Sequence, residues 1–268
     1  MTLGISSYTF GWAVSAHALD EIGLLDWAQA HEIRVLQIGD NLPLHTFDAA
    51  RLERLGAHAA QDGITLEIGA KGLTPERINV YTDIARCLDS PLIRFVADDG
   101  EYQPSASEIV SILRDALPRL GTLTLALENH DRFPAVQLQS ILEAVNDPRV
   151  GLCLDTANSL GAGEGINEVA ARLAPWTVNL HLKDFTVERL PYLMGFTVSG
   201  RPAGGGMLDI PALLALLSPY ERCHSAILEL WTPPEAQMAD TLVKEAAWAE
   251  ASIVYLRPLF QRGQQTGP

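Results

Sequence analysis

Eight short apolar runs punctuate this sequence, each closed by a polar or glycine residue and each followed by a stretch of helical length. They are Leu3–Ser7, Ile33–Ile38, Thr65–Ile68, Leu92–Val96, Thr122–Leu127, Val150–Leu154, Thr177–Leu182 and Ala226–Leu230. Most are apolar throughout rather than at alternate positions, as strands buried on both faces should be. Between them the apolar period changes to three and four. Leu138, Ile141, Leu142 and Val145 form one stripe, and Ile210, Leu213, Leu214 and Leu217 another. Pro75, Pro104 and Pro211 sit near predicted helix starts, where a missing N–H costs least. Parallel strands joined by helices must be covered on both faces or closed on themselves. Eight such units in 268 residues average about 33 residues each, which favours an α/β fold of the (β/α)8 TIM barrel type. The expected organisation is a single domain over residues 1–260 with a polar tail at 261–268. An open doubly wound sheet would usually carry a glycine-rich phosphate loop after its first strand. Here that strand runs into Tyr8-Thr9-Phe10-Gly11-Trp12.

One connection departs from the pattern. From Lys183 to Leu208 the chain runs 26 residues with no helical stripe, a long loop after strand seven. Loops of that length in compact domains are usually functional. Its Leu190, Tyr192, Leu193, Met194 and Phe196 are apolar and need covering, by closing over a pocket as a lid or by a subunit contact in a homodimer.

Charge and cysteine content narrow the class of partner. The chain has 19 basic against 33 acidic residues, a formal charge of −14. Such a surface repels phosphate backbones and anionic membranes, so neither nucleic acid nor a membrane is the expected partner. Cys87, Cys153 and Cys223 are odd in number and far apart, which fits a reducing compartment. No apolar run approaches a membrane span, and the N-terminus lacks a signal-peptide pattern. A cytoplasmic protein is expected.

In a (β/α)8 barrel, function sits where strands end and the following loops begin. Strand five ends in Glu128-Asn129-His130-Asp131 and strand six in Asp155-Thr156-Ala157-Asn158. Strand seven carries Asn179, His181, Lys183 and Asp184, and strand eight ends in Glu229-Leu230-Trp231. Four consecutive strands thus bring a carboxylate, a carboxylate, an imidazole and a carboxylate to one rim. Taken singly, each carboxylate could cap the next helix and the histidine could be a core residue. Together the carboxylates would crowd one another unless a cation sits among them. Lys183 is one candidate, and a divalent metal is the better one. Three oxygens and a nitrogen suit Mn²⁺ or Mg²⁺, with Zn²⁺ or Co²⁺ also possible. Lys183, Arg201, His130 and Asn158 are candidate substrate contacts. Tyr8, Phe10 and Trp12 could wall the pocket, and Asp40, Asn41, His45 and Glu67 lie near the same rim.

These segments resemble the xylose isomerase-like barrels, which include sugar and sugar-phosphate isomerases, ketose 3-epimerases, hydroxypyruvate isomerase and inosose dehydratase. The resemblance spans essentially the whole chain. It rests on Glu128-Asn129-His130, on Leu154–Asn158, on His181–Asp184, on the Gly204–Asp209 run, and on Ile227-Leu228-Glu229. It implies one divalent metal held by Glu128, Asp155, His181 and Glu229, with Glu128 and Glu229 as the acid/base pair. In the ketose epimerases a histidine stands where Asn158 stands here. Arg201-Pro202 is similar to an arginine of their strand-seven segment, offset by the longer loop. The implied activity is isomerisation or epimerisation of a sugar or polyol-derived substrate, by proton abstraction α to a carbonyl through a metal-stabilised enediolate. A dehydratase or other lyase of the same barrel would use the same enolate, and a non-catalytic barrel subunit is a further alternative. An abasic-site endonuclease would need many histidines over most of the rim, and strands three and four supply none.

Overall fold

The computed structural model describes residues 1–192 and 194–262. Eight parallel strands close into a barrel in the order β1-β10-β7-β6-β5-β4-β3-β2. They are β1 (Thr2–Ser6), β2 (Val35–Ile38), β3 (Thr65–Lys71), β4 (Leu92–Val96), β5 (Thr124–Glu128), β6 (Val150–Asp155), β7 (Thr177–Leu182) and β10 (Ser225–Leu228). Their neighbours in the chain are helices: α1 (Gly11–Ser15), α2 (Glu21–Ala30), α3 (Ala49–Asp62), α4 (Pro75–Cys87), α5 (Ala106–Leu120), α6 (Ala135–Val145), α7 (Ile166–Leu173), α8 (Ile210–Leu217) and α9 (Met238–Arg262). No described helix is long and apolar enough to cross a membrane. The expected tail falls on α9 through Arg262, and residues 263–268 lie outside the described residues.

Local chemistry sets the helix starts. Asp48 accepts the N–H of Arg51 to cap α3, and Ser105 and Glu108 cap α5 reciprocally. Pro75 opens α4 and Pro211 is the second residue of α8. The apolar stripes face the barrel: Leu138, Ile141, Leu142 and Val145 are buried, as are Ile210, Leu213 and Leu217.

Strand register decides which residues share a level. Glu128 lies opposite Cys153, and Cys153 opposite Asn179; two residues further along, Asp155 lies opposite His181. Side chains two apart on a strand point to the same face. Glu128, Cys153, Asp155, Asn179 and His181 therefore all face inward, staggered as a barrel requires.

The segment after β7 is a hairpin rather than an irregular loop. β8 (Asp184–Arg189) pairs antiparallel with β9 (Phe196–Arg201), with Val187 opposite Val198 and Arg189 opposite Phe196. Its two strands alternate polar and apolar residues, the period of a sheet solvated on one face. A search for continuous apolar runs passes over such a segment. Tyr192, Met194 and Phe196 are exposed, and Leu193 lies outside the described residues.

The hairpin is rooted by Asp184. Its buried carboxylate accepts the backbone N–H groups of Phe185 (2.8 Å), Gly204 (2.9 Å), Gly206 (2.9 Å) and Leu208 (3.1 Å). A Cβ at Gly206 would fall 2.1 Å from Asp184 Oδ1, so only glycine lets the chain wrap this closely. The His181–Asp184 and Gly204–Asp209 motifs thus meet in one structural joint.

Candidate metal centre

Glu128, the last residue of β5, and Asp155, the last of β6, converge with His181 of β7 and Glu229 just beyond β10. All four are buried. His181 Nδ1 stands at the middle of the group, 3.6 Å from Glu128 Oε1, 3.8 Å from Asp155 Oδ2 and 3.6 Å from Glu229 Oε1. Those distances are too long for hydrogen bonds but suit donors arranged about a common ion. His181 Nδ1 is buried without a hydrogen bond, while the buried Glu128 Oε2 and Asp155 Oδ2 face cations. Ligand atoms of Asp155, His181 and Glu229 lie within 4.8 Å of one another. A hard, oxygen-rich set with one imidazole fits a divalent cation, and these four residues would hold it.

Two cations offset the carboxylates. Lys183 Nζ lies 2.7 Å from Asp155 Oδ2 and 3.0 Å from Glu229 Oε2. The other is Arg94 in the middle of β4. It is 2% exposed, with Nε 3.2 Å from Glu128 Oε2 and Nη1 3.3 Å from Asp40 Oδ1. Space for its guanidinium comes from Gly69 on β3, where a Cβ would sit 2.8 Å from Nη2. The two cations shape the ionisation. Burial alone would raise the Glu128 pKa, but Arg94 first and His181 next hold it down at about 2. Burial would raise Asp155 too, and Lys183 and His181 bring it below the ordinary range. Burial would lower His181, yet the carboxylates of Glu229 and Glu128 beside it carry it well above 6.5 when no metal competes. Burial pushes the Cys153 thiol up to about 12, which keeps it protonated at neutral pH.

Hydrogen bonds orient these side chains. Asn158 Nδ2 donates to Glu128 Oε1 (2.9 Å), and Ser6 Oγ donates to Glu229 Oε1 (3.0 Å). Asp155 Oδ1 accepts the N–H groups of Ala157 and Asn158, both at 2.8 Å. His181 Nε2 meets Gln37 Oε1 at 2.7 Å. Glu67, expected near the rim, instead lies buried inside the barrel and accepts from Gln37, Asn179 and Ser225.

The centre opens into two lobes of about 560 and 420 Å³ that share Tyr8, His130, Asp131, Asn158, Lys183 and Glu229. One is walled by Leu160, Val198, Leu230 and Trp231, the other by Asp40, Lys71, Arg94 and Asp98. Lys183, His130 and Asn158 thus line the cavity above the four-residue cluster. Arg201 does not join them: its Nη2 pairs with Glu188 at 2.6 Å across the hairpin, and it lines neither lobe. Of the aromatic trio only Tyr8 lines the cavity, donating its hydroxyl to Asp40 Oδ2 (3.0 Å). Phe10 packs edge-on against Trp27, and Trp12 Nε1 donates to Thr232 O. Asn41 bonds Ser7 and His45 sits against Tyr81, away from both lobes.

A family model described as xylose isomerase-like TIM barrel matches residues 25–258, and the chain belongs to that family. It is 34% identical over 261 residues to 3-oxo-isoapionate decarboxylase of Pectobacterium atrosepticum, covering 96% of this chain and 95% of that one. Among solved structures it resembles D-psicose 3-epimerase of Clostridium cellulolyticum, solved with D-tagatose (TM-score 0.71, 17% identity, 97% and 99% of the two chains). It also resembles a xylose isomerase-like TIM barrel protein of Mycobacterium smegmatis solved in complex with magnesium (TM-score 0.70, 12% identity, 95% and 97%). At those identities the likeness is one of fold.

Proposed function

We propose that this chain is a divalent-metal-dependent lyase that removes CO₂ from a 3-oxo sugar acid. The observation that carries the choice of reaction is the 34% identity to a 3-oxo acid decarboxylase over almost the full length of both chains. The geometry agrees with it. A proton-shuttling base must be free to take up and release its proton, whereas Glu128 is pinned by buried Arg94 and by Asn158. Decarboxylation needs no base to begin.

In a 3-oxo acid the bond from C2 to the carboxyl carbon breaks, and its electron pair moves into an enolate across C2 and the 3-oxo carbonyl. When bound at Glu128, Asp155, His181 and Glu229, a divalent ion supplies Lewis-acid polarisation of that carbonyl. Asn158 and Ser6 hold Glu128 and Glu229 in place, so little reorganisation accompanies the charge movement. Lys183 lines both lobes and orients the developing oxyanion, and the proton that C2 takes up comes from solvent at the cavity mouth. The lobe beside Lys71, Asp40 and Asp98 takes the hydroxyl-bearing end of the substrate, and the lobe beside Trp231 and Leu160 receives the departing CO₂.

One observation favours a second reading, sugar isomerisation or epimerisation through the same enolate. Glu128 and Glu229 flank His181 Nδ1 at equal distances from strands separated by two others, as a two-carboxylate proton transfer would want. The test is to incubate Mn²⁺-loaded protein with a freshly generated 3-oxo sugar acid and follow ¹³CO₂, subtracting spontaneous loss. A panel of ketoses is run alongside in D₂O. Catalysed CO₂ release supports the lyase. Deuterium uptake into a ketose, with no catalysed CO₂ release, would replace it with the isomerase.

A further inference from the structure

His181 can offer Nδ1 to a cation only if its proton sits on Nε2. The decision is made one layer down, among residues that touch neither cavity. Gln37 on β2 faces His181 with its carbonyl, Oε1 to Nε2 at 2.7 Å. An amide can turn either end to a neighbour, and the reverse orientation would offer Nε2 an N–H and force the ring proton onto Nδ1.

Two acceptors block that reversal. The Gln37 amide nitrogen donates to Glu67 Oε2 (3.0 Å) and to Asn179 Oδ1 (3.1 Å), which uses both of its hydrogens. Asn179 is itself fixed, donating to Glu67 Oε2 (3.1 Å) and Ser225 Oγ (2.7 Å). Ser225 Oγ donates in turn to Glu67 Oε1. Turning Gln37 around would set its carbonyl against two oxygens in a fully buried layer. The cost is that of lost hydrogen bonds plus unsatisfied buried groups. Register places these partners together: Gln37 lies opposite Glu67, and Asn179 opposite Ser225.

Resting on the metal centre described above, we propose that Gln37 and Glu67 are positioning residues for the divalent cation: Glu67 orients the Gln37 amide, Gln37 fixes the proton on His181 Nε2, and Nδ1 is thereby left as a ligand. Glu67 acts as a hydrogen-bond acceptor and only through Gln37.

The experiment is titration of metal-free protein with Mn²⁺ alone, reading free Mn²⁺ by electron paramagnetic resonance. Gln37→Leu is expected to weaken binding by about 10- to 100-fold, the usual effect of losing a partner behind a ligand. Glu67→Met should weaken it in the same direction, and should add nothing when Gln37 is already Leu. Glu67→Gln keeps an acceptor in place and should bind within about threefold of the unaltered protein. Unchanged affinity in Gln37→Leu and Glu67→Met would overturn the inference. So would additive losses in the double variant, or a Glu67→Gln as weak as Glu67→Met, which would make charge the operative property. Should Gln37→Leu fail to fold, the Glu67 pair decides alone. An unaltered protein that takes up no Mn²⁺ would refute the metal centre itself, a result distinct from any of these.

Discussion

Arg94→Met is the substitution whose effect can be worked out most fully. Methionine fills much of the same volume but leaves Glu128 and Asp40 without their shared cation. Breaking a buried ion pair by removing one partner costs roughly 3–5 kcal/mol. The low end applies, because Asp40 keeps the Tyr8 hydroxyl at 3.0 Å and Lys71 at 3.7 Å, and Glu128 keeps Asn158. About 3 kcal/mol in a chain of this size corresponds to a fall in Tm of about 6–12 °C. Thermal unfolding of chelated protein reads this directly. Mn²⁺ should recover more of the loss in the variant than it adds to the parent, since it replaces part of the missing positive charge. The pH dependence gives a second reading. Glu128 has its folded pKa depressed from 4.5 to about 2, so its contribution is present above 4.5 and lost as pH falls toward 2. The gap between parent and variant should therefore narrow across that window. A fall under about 2 °C at neutral pH, equal responses to Mn²⁺, or a gap independent of pH would refute the role given to Arg94.

Three further outcomes follow from the structure. The carboxylates raise the His181 pKa in the metal-free protein, so a cation must displace a proton; Mn²⁺ affinity should fall as pH drops, by up to about tenfold per unit, and a flat profile from pH 6 to 8 would count against Nδ1 as a ligand. By the same linkage, protonated His181 stabilises the chelated protein below about pH 6.5, and that support is lost as pH rises through the raised value, which melting at pH 6 and pH 9.5 can check. Asp184→Ala should free the root of the hairpin and expose residues 184–208 to limited proteolysis, with Mn²⁺ binding retained; cleavage no faster than in the parent would show that the four amide contacts do not hold the arm.

The barrel was legible because strands buried on both faces announce themselves as apolar runs. The rim positions were legible because a polar residue immediately before or after the last residue of such a run lies at the rim where the following loop begins. Glu128, Asp155, His181 and Glu229 all follow that rule. Residues inside the runs were harder to read. Arg94 in Leu-Ile-Arg-Phe-Val, Gln37 in Val-Leu-Gln-Ile and Glu67 in Thr-Leu-Glu-Ile each break an apolar strand, and each is buried with partners from other strands. A polar or charged residue in the middle of a buried strand was the available signal, since burial demands a partner. Which partner it finds depends on register and stagger, which pattern alone does not give. Arg201 shows the opposite limit: its motif neighbourhood looked right, but the hairpin turns it toward Glu188.

The glycine beside Arg94 has a consequence for the order in which this site can change over generations. Any side chain at Gly69 would collide with the guanidinium, which ion pairs with Glu128 and Asp40 hold in place. Gly39 is closed in the same way by the Tyr8 ring, at 2.8 Å. Substitutions at 69 are thus easier after Arg94 has shortened, and shortening Arg94 costs less once Glu128 has another source of positive charge. A cation held at Glu128 would lower that cost, so tight metal binding would widen the set of residues that positions 69 and 94 can accept.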